Sequence, residues 1–466
     1  MMPEPVTLTI TIYGLLGFII VSVEAFRYSH RRTVDALTFF SFFYFLFFVL
    51  APVNVLLLGE TVVRQKYAYH AYGPGDEITA LCLMACYVLF LLGYVAVPSA
   101  GKGPSPLKMG PAETYSLKKA ARIAVAFFLI GALAMAYNVA QVGGLLEVIW
   151  QAPNIRSGEF AIESKFVFVR QFISFLSCAF VLYLVIYLEK RIGGTKLTAK
   201  DWVLLIVMGI AFSYYALGAG GRREFVYPVL LYFLVSSCAG RSFGFRNTIF
   251  IVLLLVVGVA TASLARSGLM GVDELLVYRR EVVDIAYLNT VQGVADSYIH
   301  FVGMQHAELW QFGFLKDFVE LPLQLVPTRL FDFERGRGVF GETSQFFLGE
   351  GLADNLSGEE PPGFHGYLLV NFGYFGMFVW FFFLGAGYRF LHNLLRPAQR
   401  QDAIAWLIYW WVFFGFLVLF REGVLALALK QHASWWLAIA LLMLTRRRRE
   451  ESRMGRLPLQ TAEPYK

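Results

Sequence analysis

Charge is what this 466-residue sequence has little of: only 16% of its residues are Asp, Glu, Lys or Arg. A soluble domain carries nearer 25%, so the shortage excludes an ordinary soluble globular protein. Cysteine is also scarce, with Cys82, Cys86, Cys178 and Cys238 all inside apolar runs. Cys82 and Cys86 share a helix face, yet no His or carboxylate stands beside them to complete a zinc site, so packing is their expected role. Strand-type alternation is absent, which argues against a β-barrel. No Asp-x-Asp pair for a metal-bound nucleotide donor occurs. The N-terminus, Met1-Met2-Pro3-Glu4-Pro5, has no basic region, and the apolar run behind it outlasts a signal-peptide core. The first helix is therefore expected to stay as an anchor.

Apolar residues make up 58% of the chain and mean hydropathy is +0.59. Runs of about 20 apolar residues recur, each able to cross a hydrocarbon core, and in lipid such runs must be helical. About eleven spans are expected, near 6–26, 36–58, 78–99, 122–142, 166–189, 202–219, 225–240, 248–264, 366–391, 403–420 and 424–444. The fold class is an all-α polytopic membrane bundle with a large, partly helical connection. Its expected parts are a bundle of about eight helices (1–264), a cap (265–365), three further spans (366–445) and a basic tail (446–466).

Net charge is +7, but the cations cluster at span ends, a topology signal rather than a nucleic-acid footprint. Arg27, Arg31 and Arg32, then Lys102 to Lys119, Lys190 to Lys200, Arg241 and Arg246, Arg396 and Arg400, and Arg446 to Arg449 occupy connections of one parity. That side is expected to be cytoplasmic, with the N-terminus outside and the C-terminus inside. The Arg446–Arg449 run is expected to set topology and touch anionic headgroups.

Against that bias, three outward segments keep arginines. The turn after Leu217-Gly-Ala-Gly-Gly carries Arg222, Arg223 and Glu224, and a second carries Arg421-Glu422-Gly423. The connection 265–365 holds Arg266, Arg279, Arg280, Arg329, Arg335 and Arg337. Cations kept on the disfavoured side point to an anionic partner, while snorkelling to water is the plainer alternative. The long connection is too apolar for plain disorder and too long for an idle loop.

These residues resemble a family. An outward Gly-Arg-Arg turn, a large outer loop, the run Gly366-Tyr-Leu-Leu-Val-Asn371-Phe372-Gly373-Tyr-Phe-Gly376 and the Arg421-Glu422-Gly423 turn look like Wzy-type O-antigen or oligosaccharide repeat-unit polymerases. Many such proteins carry a Glu where this chain has Tyr367; its part would fall to Glu350 or His365. The resemblance implies a GT-C-type glycosyltransferase of the inner membrane that acts at the outer face. Its substrate would be an oligosaccharide on undecaprenyl diphosphate, without metal or cofactor. Implied partners are membrane lipids, a chain-length regulator and a flippase, and no nucleic acid. An O-antigen ligase and a transporter or flippase of lipid-linked sugars are the alternatives.

Transfer from a lipid diphosphate expels a diphosphate, and arginine is planar, always charged and bidentate to phosphate oxygens. Arg222, Arg223 and Arg421 are the first candidates for the donor diphosphate, with Arg266, Arg279 and Arg280 behind them. Asn289, Gln292, Asp296 and His300 recur at helical spacing. Asp296 and His300 lie four apart, so the carboxylate can orient the imidazole as a general base. The alternative is an exposed amphipathic face. His306, His365 and Glu342 are weaker candidates, and Trp310, Phe312 and Phe314 read as interface anchors more than sugar platforms. His30, His70, His392 and His432 are assigned no function.

Overall fold

The computed structural model describes residues 4–31, 35–58, 77–98, 113–151, 167–219, 222–239, 297–305, 362–397, 402–423, 429, 432–444 and 446–448. Among them, eight helices are long and apolar enough to cross a membrane, and two shorter apolar helices, Val226–Cys238 and Ala433–Leu444, accompany them. The expected span near 248–264 and most of the cap lie outside the described residues.

Helix α1 (Glu4–Arg31) is followed by α2 (Ala36–Phe45), a π-helical turn at Leu46–Leu50 and α3 (Ala51–Leu58). The π turn has a cause in the sequence: Pro52 has no N–H to give and its ring crowds the carbonyl four residues back. Next come α4 (Glu77–Ala96), α5 (Leu117–Val142) and the short α6 (Leu145–Trp150). A 3-10 stretch, Val167–Ser174, leads into α7 (Phe175–Ile192), then α8 (Ala199–Ala219) and α9 (Arg222–Cys238). Residues 297–305 form α10. The C-terminal part holds α11 (Gly363–Leu395), α12 (Ala403–Glu422) and α13 (Ala433–Leu444). The strands Glu113–Tyr115 and Arg446–Arg448 pair antiparallel, joining the chain before α5 to the chain after α13.

α11 starts at Gly363, three residues before the expected cap boundary, and it is not one rod. Gly373 has φ 64° and ψ −175° inside it. The rings of Phe364 and Phe381 are 5.7 Å apart. Along a straight helix, 17 residues would separate them by about 25 Å. The chain therefore doubles back at Gly373, and 363–372 packs against the longer limb. Only glycine adopts that conformation without strain. Such a break at membrane depth is tolerated because protein covers it.

The longer limb lies directly on α4. A Cβ at Gly93 would strike the Phe382 carbonyl, and one at Gly385 would strike the Phe90 carbonyl. Bare backbone at both positions is what lets the two helices touch, the usual way helices gain attraction in lipid.

Polar contacts gather one set of helix ends. The Ala36 N–H donates to Tyr409 Oη at 2.8 Å, and His392 Nδ1 lies 2.9 Å from the same oxygen. Asn393 Nδ2 donates to the Pro98 carbonyl at 3.0 Å, and the Ile404 N–H donates to Glu189 Oε2 at 3.2 Å. Lys190 and Asp201 pair at 2.6 Å. These are the connections that carry the basic residues in the sequence. α10 meets the opposite ends: Thr79 bonds Gln305, Gln305 Nε2 donates to Tyr374 Oη at 3.0 Å, and Ser297 Oγ donates to the Arg421 carbonyl at 3.3 Å.

Candidate functional site

Two buried polar groups lie in the bundle, separated along α12 by the 11 residues from Tyr409 to Phe420, about 16 Å. The first joins α1, α2, α4, α11 and α12. Arg27 Nη2 contacts both oxygens of Asp35 at 2.6 Å, and its Nη1 donates to Glu24 at 2.6 Å. Asp35 also caps α2, accepting the Thr38 N–H at 3.1 Å. Burial pushes the Asp35 carboxyl up, but the facing Arg27 guanidinium, supported by the Thr38 N–H, outweighs it and holds it below the usual carboxylate range. Ser41 Oγ donates to Glu24 Oε1 at 3.0 Å and lies 2.9 Å from Tyr87 Oη. Arg389 donates to Tyr94 Oη at 3.1 Å, with its Cζ 4.9 Å from the ring centre.

The second group lies where α10, the short limb of α11 and the end of α12 converge. His365 is 1% exposed. Its ring sits 4.3 Å from Phe48, 4.6 Å from Phe381, 5.3 Å from Phe420 and 5.5 Å from Phe301. Phe48 belongs to the π turn, so the distortion caused by Pro52 falls where the imidazole is held. Tyr44 Oη donates to the Leu83 carbonyl at 2.7 Å and lies 3.2 Å from His365 Nε2. With its own proton committed to Leu83, Tyr44 can only accept from His365. That assigns the Nε2–H tautomer and leaves Nδ1 with its lone pair. Nδ1 has no hydrogen-bond partner among the described residues. Asn371 on the same limb donates to the Tyr367 carbonyl at 2.8 Å, and its Oδ1 likewise has no partner among the described residues. At Gly423, φ is 79° and a Cβ would strike the Gly363 backbone, so the turn after Arg421 abuts the start of α11.

Of the residues singled out in the sequence, His300 is fully buried on α10, next to Phe301, which touches His365. It therefore does not lie on an exposed amphipathic face. Arg421 ends α12 half-buried, tied through its carbonyl to Ser297. α10, α11 and α12 thus bring His300, His365 and Arg421 to one end of the bundle. Arg222 and Arg223 open α9, but their side chains lie outside the described residues, as do Asp296, Arg266, Arg279, Arg280, His306 and Glu342. Pro228 sits six residues into α9 and is buried. Cys82, Cys86 and Cys178 are buried and all four cysteines are free. Among the described residues no cluster of His, Cys, Asp and Glu could hold a metal ion.

Sequence reasoning missed Tyr44 and Ser297, which place His365 and Arg421, because both are contacts between distant parts of the chain. It also set His392 aside and found few charges within the spans. Arg389 inside an apolar run was the available signal, since an ionisable group at such depth is costly and marks a site.

The apolar helices and buried ionisable groups define a polytopic helical membrane protein. Comparison with protein families, with curated proteins and with solved structures finds no match to this chain.

Proposed function

We propose that the chain polymerises oligosaccharide repeat units carried on undecaprenyl diphosphate. In this reading it has eleven spans in the inner membrane and reacts at the outer face. A chain-length regulator and a flippase are its expected protein partners. The observation that carries the reading is the convergence of α10, the start of α11 and the end of α12 around His365 and Arg421. An acceptor hydroxyl oxygen attacks the anomeric carbon of the donor, and its proton passes to His365 Nδ1, the lone pair left open by the Tyr44 contact. The bond from that carbon to the diphosphate oxygen breaks. The departing diphosphate gathers charge, which the Arg421 guanidinium stabilises more in the transition state than in the ground state. Arg222, Arg223, Arg266, Arg279 and Arg280 would complete the cationic surface around the diphosphate. His300, with Asp296 to orient it, is the second candidate base. A ligase would use the same groups with a lipid A-core acceptor.

A second reading, a transporter of lipid-linked sugars, draws on the broken helix at Gly373 and the buried ions at the Arg27 end. Purified protein in liposomes, supplied with undecaprenyl-diphosphate-linked repeat units, separates the two. A ladder of lengthened glycans supports the polymerase. Passage of labelled donor across the bilayer with no new glycosidic bond supports transport and contradicts the polymerase.

A further inference from the structure

We propose that Arg389 is the centre of a second anion site, which takes the phosphate of an anionic phospholipid in the leaflet at the Arg27 end of the bundle. Arg389 is 6% exposed, yet it forms no ion pair among the described residues. The nearby carboxylates are engaged elsewhere: Asp35 and Glu24 both sit 2.6 Å from Arg27. The bond from Nη1 goes to a neutral acceptor, Tyr94 Oη, and uses one of five N–H donors. Nε and Nη2 make no hydrogen bond among the described residues. A cation this buried is costly without an anion, so an anion from outside the chain is the missing partner.

The position is fixed by the fold. The bare backbone contact of Gly93 and Gly385 sets Tyr94 and Arg389 face to face, one residue and one turn beyond the crossing. Asn393 and Arg396 follow Arg389 at i+4 and i+7, on the same side of α11 as the helix reaches its end. Asn393 is tied to the Pro98 carbonyl, and Arg396 is exposed. One guanidinium is thus held in place near the end of α11, with a second, exposed one beyond it. A phosphate diester with its own acyl chains can occupy that place, and the exposed apolar surface of the neighbouring helices receives the chains. The site lies at the end of the bundle away from His365 and does not depend on the polymerase reading.

The test uses the full chain in a zwitterionic detergent, with Tm read against added phosphatidylglycerol, phosphatidylcholine or inorganic phosphate. Phosphatidylglycerol should raise Tm well above the effect of phosphatidylcholine, and inorganic phosphate should not. Arg389→Gln should weaken the phosphatidylglycerol response at least about tenfold in concentration, as loss of a charge-assisted contact implies. Arg389→Lys should recover part of it, because an ammonium keeps the charge without the fork. An unchanged response in Arg389→Gln overturns the proposal. An equal shift with inorganic phosphate overturns the lipid source. If Arg389→Gln does not fold, native mass spectrometry of the unaltered protein in equal amounts of the two lipids decides. Retained phosphatidylglycerol supports the site, and equal retention of both lipids overturns it.

Discussion

Tyr44 and His365, 321 positions apart in sequence, meet through a 3.2 Å contact between the phenol oxygen and Nε2. Because the Tyr44 proton is spent on the Leu83 carbonyl, the contact fixes which imidazole nitrogen keeps its lone pair. Tyr44→Phe removes that acceptor and the bond to Leu83. The expected cost is about 1–2 kcal/mol of stability. Turnover should fall by more than the loss of folded protein explains, with the acidic limb of the pH–rate profile displaced, since that limb reports the base. Paired melting and rate measurements on the purified variant check this.

Asp35→Asn leaves the half-buried Arg27 with Glu24 as its remaining carboxylate among the described residues. Removing the buried partner of this part-buried pair should destabilise the bundle by about 2 kcal/mol at neutral pH. The sign of the pH dependence follows from the lowered carboxyl of Asp35. Its contribution is present above the unfolded value, about 4, and disappears as pH falls through the lower native value. Melting curves from pH 7 downwards should therefore show the gap between unaltered protein and Asp35→Asn closing below about pH 4.

Gly385→Ala puts a methyl group into the Phe90 carbonyl, where neither backbone can yield without separating α4 from α11. A loss of roughly 1–3 kcal/mol or more is expected from overpacking. Gly387→Ala, two residues on, meets nothing within 4 Å and should be neutral. Side-by-side thermal denaturation tells the two apart.

A reporter fused after Arg400 should behave as cytoplasmic and an epitope inserted after Gly351 as external. A cytoplasmic epitope at Gly351 would invert the orientation read from the basic residues.

Much of the fold was legible because hydrophobic run length is a local property: ten of the expected spans have apolar helices at their positions. The parity of the basic connections also reappears, as contacts such as Asn393 with Pro98 and Ile404 with Glu189 at one end of the bundle. The break at Gly373 was not legible, since Asn-Phe-Gly reads as helix until Phe381 is seen to fold back on Phe364. The placement of the site was legible only in part. Arg421 stands out as a cation at a span end and His300 by its helical spacing from Asp296, but nothing local to His365 announces Tyr44, Phe48 or Phe420 as its surroundings.

Arg421→Lys keeps the charge at the end of α12 but loses the fork that matches two phosphate oxygens. Polymerising activity should fall about tenfold or more, and further in Arg421→Ala, while the yield of folded protein is unchanged. Rates measured at saturating donor report this.

The most direct measurement is the glycan ladder made by His365→Phe protein from undecaprenyl-diphosphate-linked repeat units. A phenyl ring fills the aromatic enclosure and deletes only the nitrogens. The account predicts a folded protein, with a melting temperature close to that of the unaltered chain, that makes no ladder. A full-length ladder from that variant would contradict it.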